Sequence, residues 1–205
     1  MAKVQRAEVA LRRALSLTLV ILCVATSSAA GPASDEHLLA GATHFRKGAF
    51  DLALVEFKVA MQLGAGPEAA GYMAAALQKL KRPEEAVEAF SRLPPAALDP
   101  VLSYYRALAL YDARLYLTAD QALSTLTDKG GPKIAKLAAK VREDIAALFV
   151  GEPPTSSIDW YLNRGAEAAS QQRNALASAY LTEAIALSSR RASPHRLDEA
   201  RAALA

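Results

Sequence analysis

The residues with chemical potential are few. His37, His44 and His195 are the only imidazoles. His37 and His44 lie seven residues apart, two helical turns or about 10 Å along an axis. A shared metal ion is usually held from closer spacing, such as i and i+4, so the pair reads as capping or surface residues. The adjacent acids Glu84-Glu85 and Asp35-Glu36 could in principle pair as a general acid and base. They stand instead where helix starts draw negative charge. There is no Gly-x-Ser-x-Gly elbow, no His-Glu-x-x-His pair and no phosphate-cradling glycine loop. Trp160 and Tyr161 open a helix and suit core packing. The expectation is therefore a chain that is not an enzyme and takes no metal or cofactor.

The first thirty residues differ from the rest. Lys3, Arg6, Arg12 and Arg13 make a basic start, Ala14 to Ala25 is an uncharged apolar run, and Ser28 and Ala30 satisfy a small-x-small cleavage rule before Gly31. This is the layout of a secretory signal, so we expect residues 1–30 to be a signal peptide and the mature chain to be periplasmic or secreted. The alternatives are an uncleaved N-terminal membrane anchor and a mitochondrial presequence. The strong apolar core is shorter than the roughly 20 residues of a span, and a presequence would be amphipathic. Cys23 follows the bulky Leu22, which disfavours lipid attachment. The leader takes four of the 24 basic and one of the 21 acidic residues, leaving twenty of each. The basic pI of the whole chain, about 9.0, thus gives no support to nucleic-acid binding. The sole cysteine leaves with the leader, so the remainder must be held by packing.

The rest repeats. Ala53, Ala86 and Ala119 are spaced by 33 residues, and each precedes a large apolar residue by four: Phe57, Phe90 and Leu123. Ala60, Leu93 and Leu126 follow on the same helical face. Twelve residues before each alanine stand Gly41, Ala74 and Ala107, and Pro67 and Pro100 suit the first turns of new helices. The unit is a helix, a short turn marked by Gly48 or Arg82-Pro83, and a second helix opening near Phe50 or Tyr116. After the third unit Gly130-Gly131-Pro132 begins a separate helix, Lys133 to about Phe149, with Ile134, Leu137, Val141, Ile145 and Leu148 along one stripe. Gly151-Glu152-Pro153-Pro154 closes it, and Ser156 with Asp159 can cap the next. Gly165, Ala177, Leu181 and Ala184 outline a further hairpin, and Ser193 to Ala205 could form a helix covering its open face.

The pattern in Gly41, Gly48, Phe50, Ala53, Phe57 and Ala60, echoed by Ala74, Leu77, Ala86 and Phe90 and by Ala107, Leu110, Tyr116 and Ala119, resembles the tetratricopeptide repeat, a helical hairpin of about 34 residues. The resemblance departs from the family where its tryptophan is replaced by His37, Ala70 and Ser103. It implies an all-α fold of stacked antiparallel hairpins in a short solenoid. The expected domains are three such hairpins at 31–129, an extra helix and Pro-rich linker at 130–156, and a degenerate hairpin with a capping helix at 157–205. It further implies a concave groove lined by first helices. The groove-facing residues by register are Leu38, Ala42, Phe45 and Arg46, then Gly71, Ala75, Gln78 and Lys79, then Tyr104, Leu108, Tyr111 and Asp112, with Tyr72 and Tyr105 at its border. The lysines and asparagines of the family's carboxylate clamp are missing from these places. The expected function is a non-catalytic adaptor or assembly factor holding a protein or peptide partner. The alternative is a structural subunit of an envelope complex or a self-assembling homo-oligomer.

Overall fold

The computed structural model describes residues 31–149, 158–190 and Ala202. The expected signal peptide at 1–30, the Pro-rich segment with Ser156, His195 and all of the expected capping tail but Ala202 lie outside the described residues. Those described form an all-α protein. Helices α1 (Pro32–Arg46) and α2 (Phe50–Gln62), α3 (Pro67–Lys79) and α4 (Pro83–Ser91), and α5 (Pro100–Asp112) and α6 (Tyr116–Lys129) make three consecutive hairpins. A single helix α7 (Gly131–Leu148) and a last hairpin, α8 (Ile158–Ser170) and α9 (Asn174–Arg190), follow.

The 33-residue register is the core. Ala53, Ala86 and Ala119 are fully buried, as are Phe57, Leu123, Ala60, Ala74 and Ala107, and Phe90 and Leu126 nearly so. Small side chains at these positions let helices close up, and the large residue four places on fills the space between them. At Gly41 the fit is tightest: a Cβ there would lie 2.6 Å from the Phe57 ring. Pro67, Pro83 and Pro100 each occupy the first helical turn, where a missing N–H costs nothing.

Every hairpin turn has the same geometry. Gly48, Lys81, Arg114 and Gln172 all have positive φ, 78°, 61°, 66° and 59°, and the first three keep the 33-residue spacing. The following residue returns its N–H across the turn in each case: Ala49 to His44, Arg82 to Leu77, Leu115 to Leu110, and Arg173 to Ala168. This is the Schellman closure, which suits glycine because a Cβ strains the left-handed backbone. Three of the four turns bear that strain on a long side chain. Lys81 is 81% exposed at its side chain, so Lys81→Gly is expected to raise stability by about 0.5–1 kcal/mol, seen as a higher urea midpoint with unchanged slope.

Helix α7 packs on α6 and α5, continuing the stack by one helix. Its inward face is Ile134, Ala138, Val141 and Ile145; Leu137, expected on that stripe, is 40% exposed. It sits at the stripe's edge, and the smaller Ala138 takes the close contact. The last hairpin repeats the local pattern, with Leu181 2.9 Å from where a Gly165 Cβ would sit and Ala184 fully buried. It is not the next unit in line, however: α9 folds back onto α4 and α6, the second helices of hairpins two and three.

Candidate partner-binding face

With α8 and α9 on the second helices, the surface of the first helices α1, α3 and α5 carries an aromatic cluster. The Phe45 ring meets Tyr105 at 5.5 Å, Tyr72 at 6.2 Å and Phe50 at 5.2 Å, all edge to face. Tyr72 stacks on Phe57 at 5.7 Å, and Tyr104 lies 6.3 Å from Tyr105. The Lys79 ammonium stands 5.3 Å over the Tyr105 ring, a cation–π contact. Farther along, Tyr111 meets Tyr116 at 5.6 Å and Tyr116 meets Phe149 at 6.4 Å.

The twelve residues placed on this face by register fall into two sets. Leu38, Ala42, Phe45, Tyr104, Leu108, Tyr111 and Asp112 are half-buried, and Arg46 and Lys79 are exposed. Gly71, Ala75 and Gln78 are buried. Leu102 of α5 lies 2.7 Å from a Cβ at Gly71, so the small residues of α3 are spent on drawing α5 close. Gln78 donates to the Asp112 carboxylate at 2.8 Å. Those three therefore form a floor, and a partner on this face would meet the side chains of α1 and α5 around it. Burial raises the pKa of Tyr72, Tyr104, Tyr105 and Tyr111 above the ordinary tyrosine value. Their hydroxyls stay protonated and able to donate at neutral pH.

A second, polar centre joins the last hairpin to the array. Glu84, at the start of α4, accepts from Arg164 of α8, from Arg173 at 3.1 Å and from the Tyr180 hydroxyl of α9 at 2.8 Å. These groups border a recess of about 130 Å³. Glu88 accepts the Leu176 N–H at 3.3 Å. Glu183, fully buried on α9, accepts from the Leu117 and Thr118 N–H groups at 2.6 and 3.0 Å and from the Thr118 hydroxyl at 2.7 Å. Helix α6 has no cap from its own Leu115, so Glu183 supplies one from the far end of the chain. Tyr161 donates to the Arg114 carbonyl at 2.6 Å, and the Arg114 guanidinium lies over Trp160.

Reading Glu84 as a helix-end charge captured only part of its role. The signal for Glu183 was available: it falls on the buried stripe Leu176, Tyr180 and Leu187, an acid at a core position of the 3.6-residue pattern. His37 stands at the surface, its side chain 38% exposed, and its Nδ1 lies 2.6 Å from Glu56 and ties α1 to α2.

The Glu84 centre sets a pH dependence. Burial works to raise the Glu84 carboxyl, but the Tyr180 hydroxyl and the Arg164 and Arg173 guanidinium groups outweigh it and hold it below the ordinary range. A depressed folded-state value gives stability that is present above the unfolded value and lost as pH falls through the folded one. Tyr180 is pushed up to about 12, first by burial and then by Glu84. Its share is present below the ordinary value of 10.0 and lost as pH rises towards 12. The docking of α8–α9 should weaken below about pH 4.5 and again above about pH 10. Protease nicking within 150–173, followed against pH, checks this, and a Glu84→Gln protein should lose the acid limb.

Among the described residues no three His, Cys, Asp or Glu side chains gather where they could hold one ion, and no helix is long and apolar enough to cross a membrane. A scan against protein-family models finds no match to this chain, and searches of curated proteins and of solved structures find none either.

Proposed function

We propose that this chain is an exported, non-catalytic binding module of the tetratricopeptide type, holding a segment of another protein against the face of α1, α3 and α5. One observation carries the reading: Phe45, Tyr104 and Tyr105 converge from two different helices into a half-exposed aromatic cluster, while the chain's own last hairpin occupies the opposite helices. Aromatic side chains bury large areas at small entropic cost and dominate the affinity of such interfaces. Protonated tyrosine hydroxyls and the Lys79 ammonium add directional contacts at the rim. A partner segment in helical or extended form would suit this face. The secretory-signal layout of residues 1–30 supports a periplasmic or exterior location.

A photoreactive residue at Tyr104 tests the reading, with a second probe at Leu137, 40% exposed on α7. The expected result is capture of one defined chain at position 104, abolished by Phe45→Ala, with no capture at 137. Capture at 137 and not at 104 would move the partner to the end of the stack.

A further inference from the structure

The outer surface of α2 differs from those of α4 and α6. Leu52, Val55 and Leu63 are 54%, 56% and 44% exposed. With the half-buried Val59 they fall within about 80° of one another around the helix at 100° per residue. One and two repeats on, the positions of Leu52, Val55 and Val59 hold Glu85 and Glu88 on α4 and Arg92 at its end, and Thr118, Gln121 and Thr125 on α6. The stripe is thus no requirement of the repeat. It continues the surface on which α9 is already docked, yet α9 packs on α4 and α6, and α2 is left with an apolar strip facing water. Four such residues in a row mark a contact surface rather than scattered exposure.

We infer that this strip pairs with the same strip of a second copy of the chain, α2 against α2 antiparallel about a two-fold axis near Val55. A two-fold interface must be complementary to itself, and the flanking charges are. Asp51 and Lys58 lie on the same side of the strip one heptad apart, carry opposite signs, and neither forms a short ion pair among the described residues. An axis over Val55 sets Asp51 of each copy beside Lys58 of the other, twice, and brings Leu52 to Val59 across the seam. This is the flank pairing of antiparallel helices. The first-helix face is untouched, so the inference stands apart from the proposed partner site.

Sedimentation equilibrium of the full chain between about 10 μM and 1 mM reads the result, since a contact made by a single helix of each copy belongs to the weaker class. The average mass should climb from one chain towards two. Val55→Glu, a change at an exposed position that leaves the helical circular dichroism unaltered, should hold it at one. Lys58→Asp should weaken association about tenfold by setting like charges together, and Asp51→Lys with Lys58→Asp should restore it. A mass of one chain throughout, association unaffected by Val55→Glu, or a double variant no better than the single would each overturn the pairing.

Discussion

Phe57→Ala should lower the stability of the array by about 3–5 kcal/mol, out of a total on the order of 5–15 kcal/mol for a domain of this kind. The ring is fully buried, stacks on Tyr72 at 5.7 Å, and fills the space left by Gly41. Removing it opens a cavity between α1, α2 and α3, where Gly41 offers no side chain and Tyr72 loses the ring it stacks on. In a stacked array each unit relies on its neighbours, so the loss should extend beyond the first hairpin. Chemical denaturation followed by helical circular dichroism reads it as a large drop in midpoint. Leu52→Ala on the same helix is the internal comparison: Leu52 is 54% exposed, and its truncation should change stability by less than about 0.5 kcal/mol. Equal effects at the two positions would contradict the assigned register. Gly41→Ala should also destabilise, by about 1–3 kcal/mol through overpacking, and Phe57→Leu should relieve part of that cost in the double variant.

Glu183→Ala should cost about 2–4 kcal/mol, with a different character. The carboxylate accepts three hydrogen bonds at the start of α6 and is fully buried. Its removal leaves the Leu117 and Thr118 N–H groups without their acceptor in a place water reaches poorly. The damage should be local. The last hairpin loses its hold on α6 while Ala53, Ala86 and Ala119 keep their surroundings, so proteolysis in the 150–173 region should accelerate before the helical signal falls. Glu183→Gln, which keeps an acceptor oxygen without the charge, should lie between the wild type and alanine. A cooperative loss of the whole array, with no separate loosening of α8–α9, would show that the hairpin and the three units fold as one.

The candidate face was partly legible in the chain. Phe45, Tyr104, Leu108 and Tyr111 were placed on this face by the resemblance, carried over through the 33-residue register, and side chains at i, i+3 and i+4 share a helical face. That Gly71, Ala75 and Gln78 are buried could not be read the same way. Their burial depends on how closely α3 approaches α5, and that distance is set by Leu102 lying against Gly71. The Glu84 centre was hidden for a related reason: its partners Arg164, Arg173 and Tyr180 lie 80 to 96 residues away, and no local pattern links them.

The amino-acid sequence by itself determined the all-helical class, the 33-residue register and the identities of the alanines and aromatic residues that fill the core. Those features arise from contacts within one helix or between adjacent ones, and short-range periodicity records them. Two things were decided only by the tertiary structure. The left-handed turns at Lys81, Arg114 and Gln172 carry no glycine to announce them, because packing on both sides imposes a backbone that these residues would not choose alone. The position of α8–α9 rests on Glu84 and Glu183, whose partners at the last hairpin and at the start of α6 lie 65 to 96 residues away in the chain.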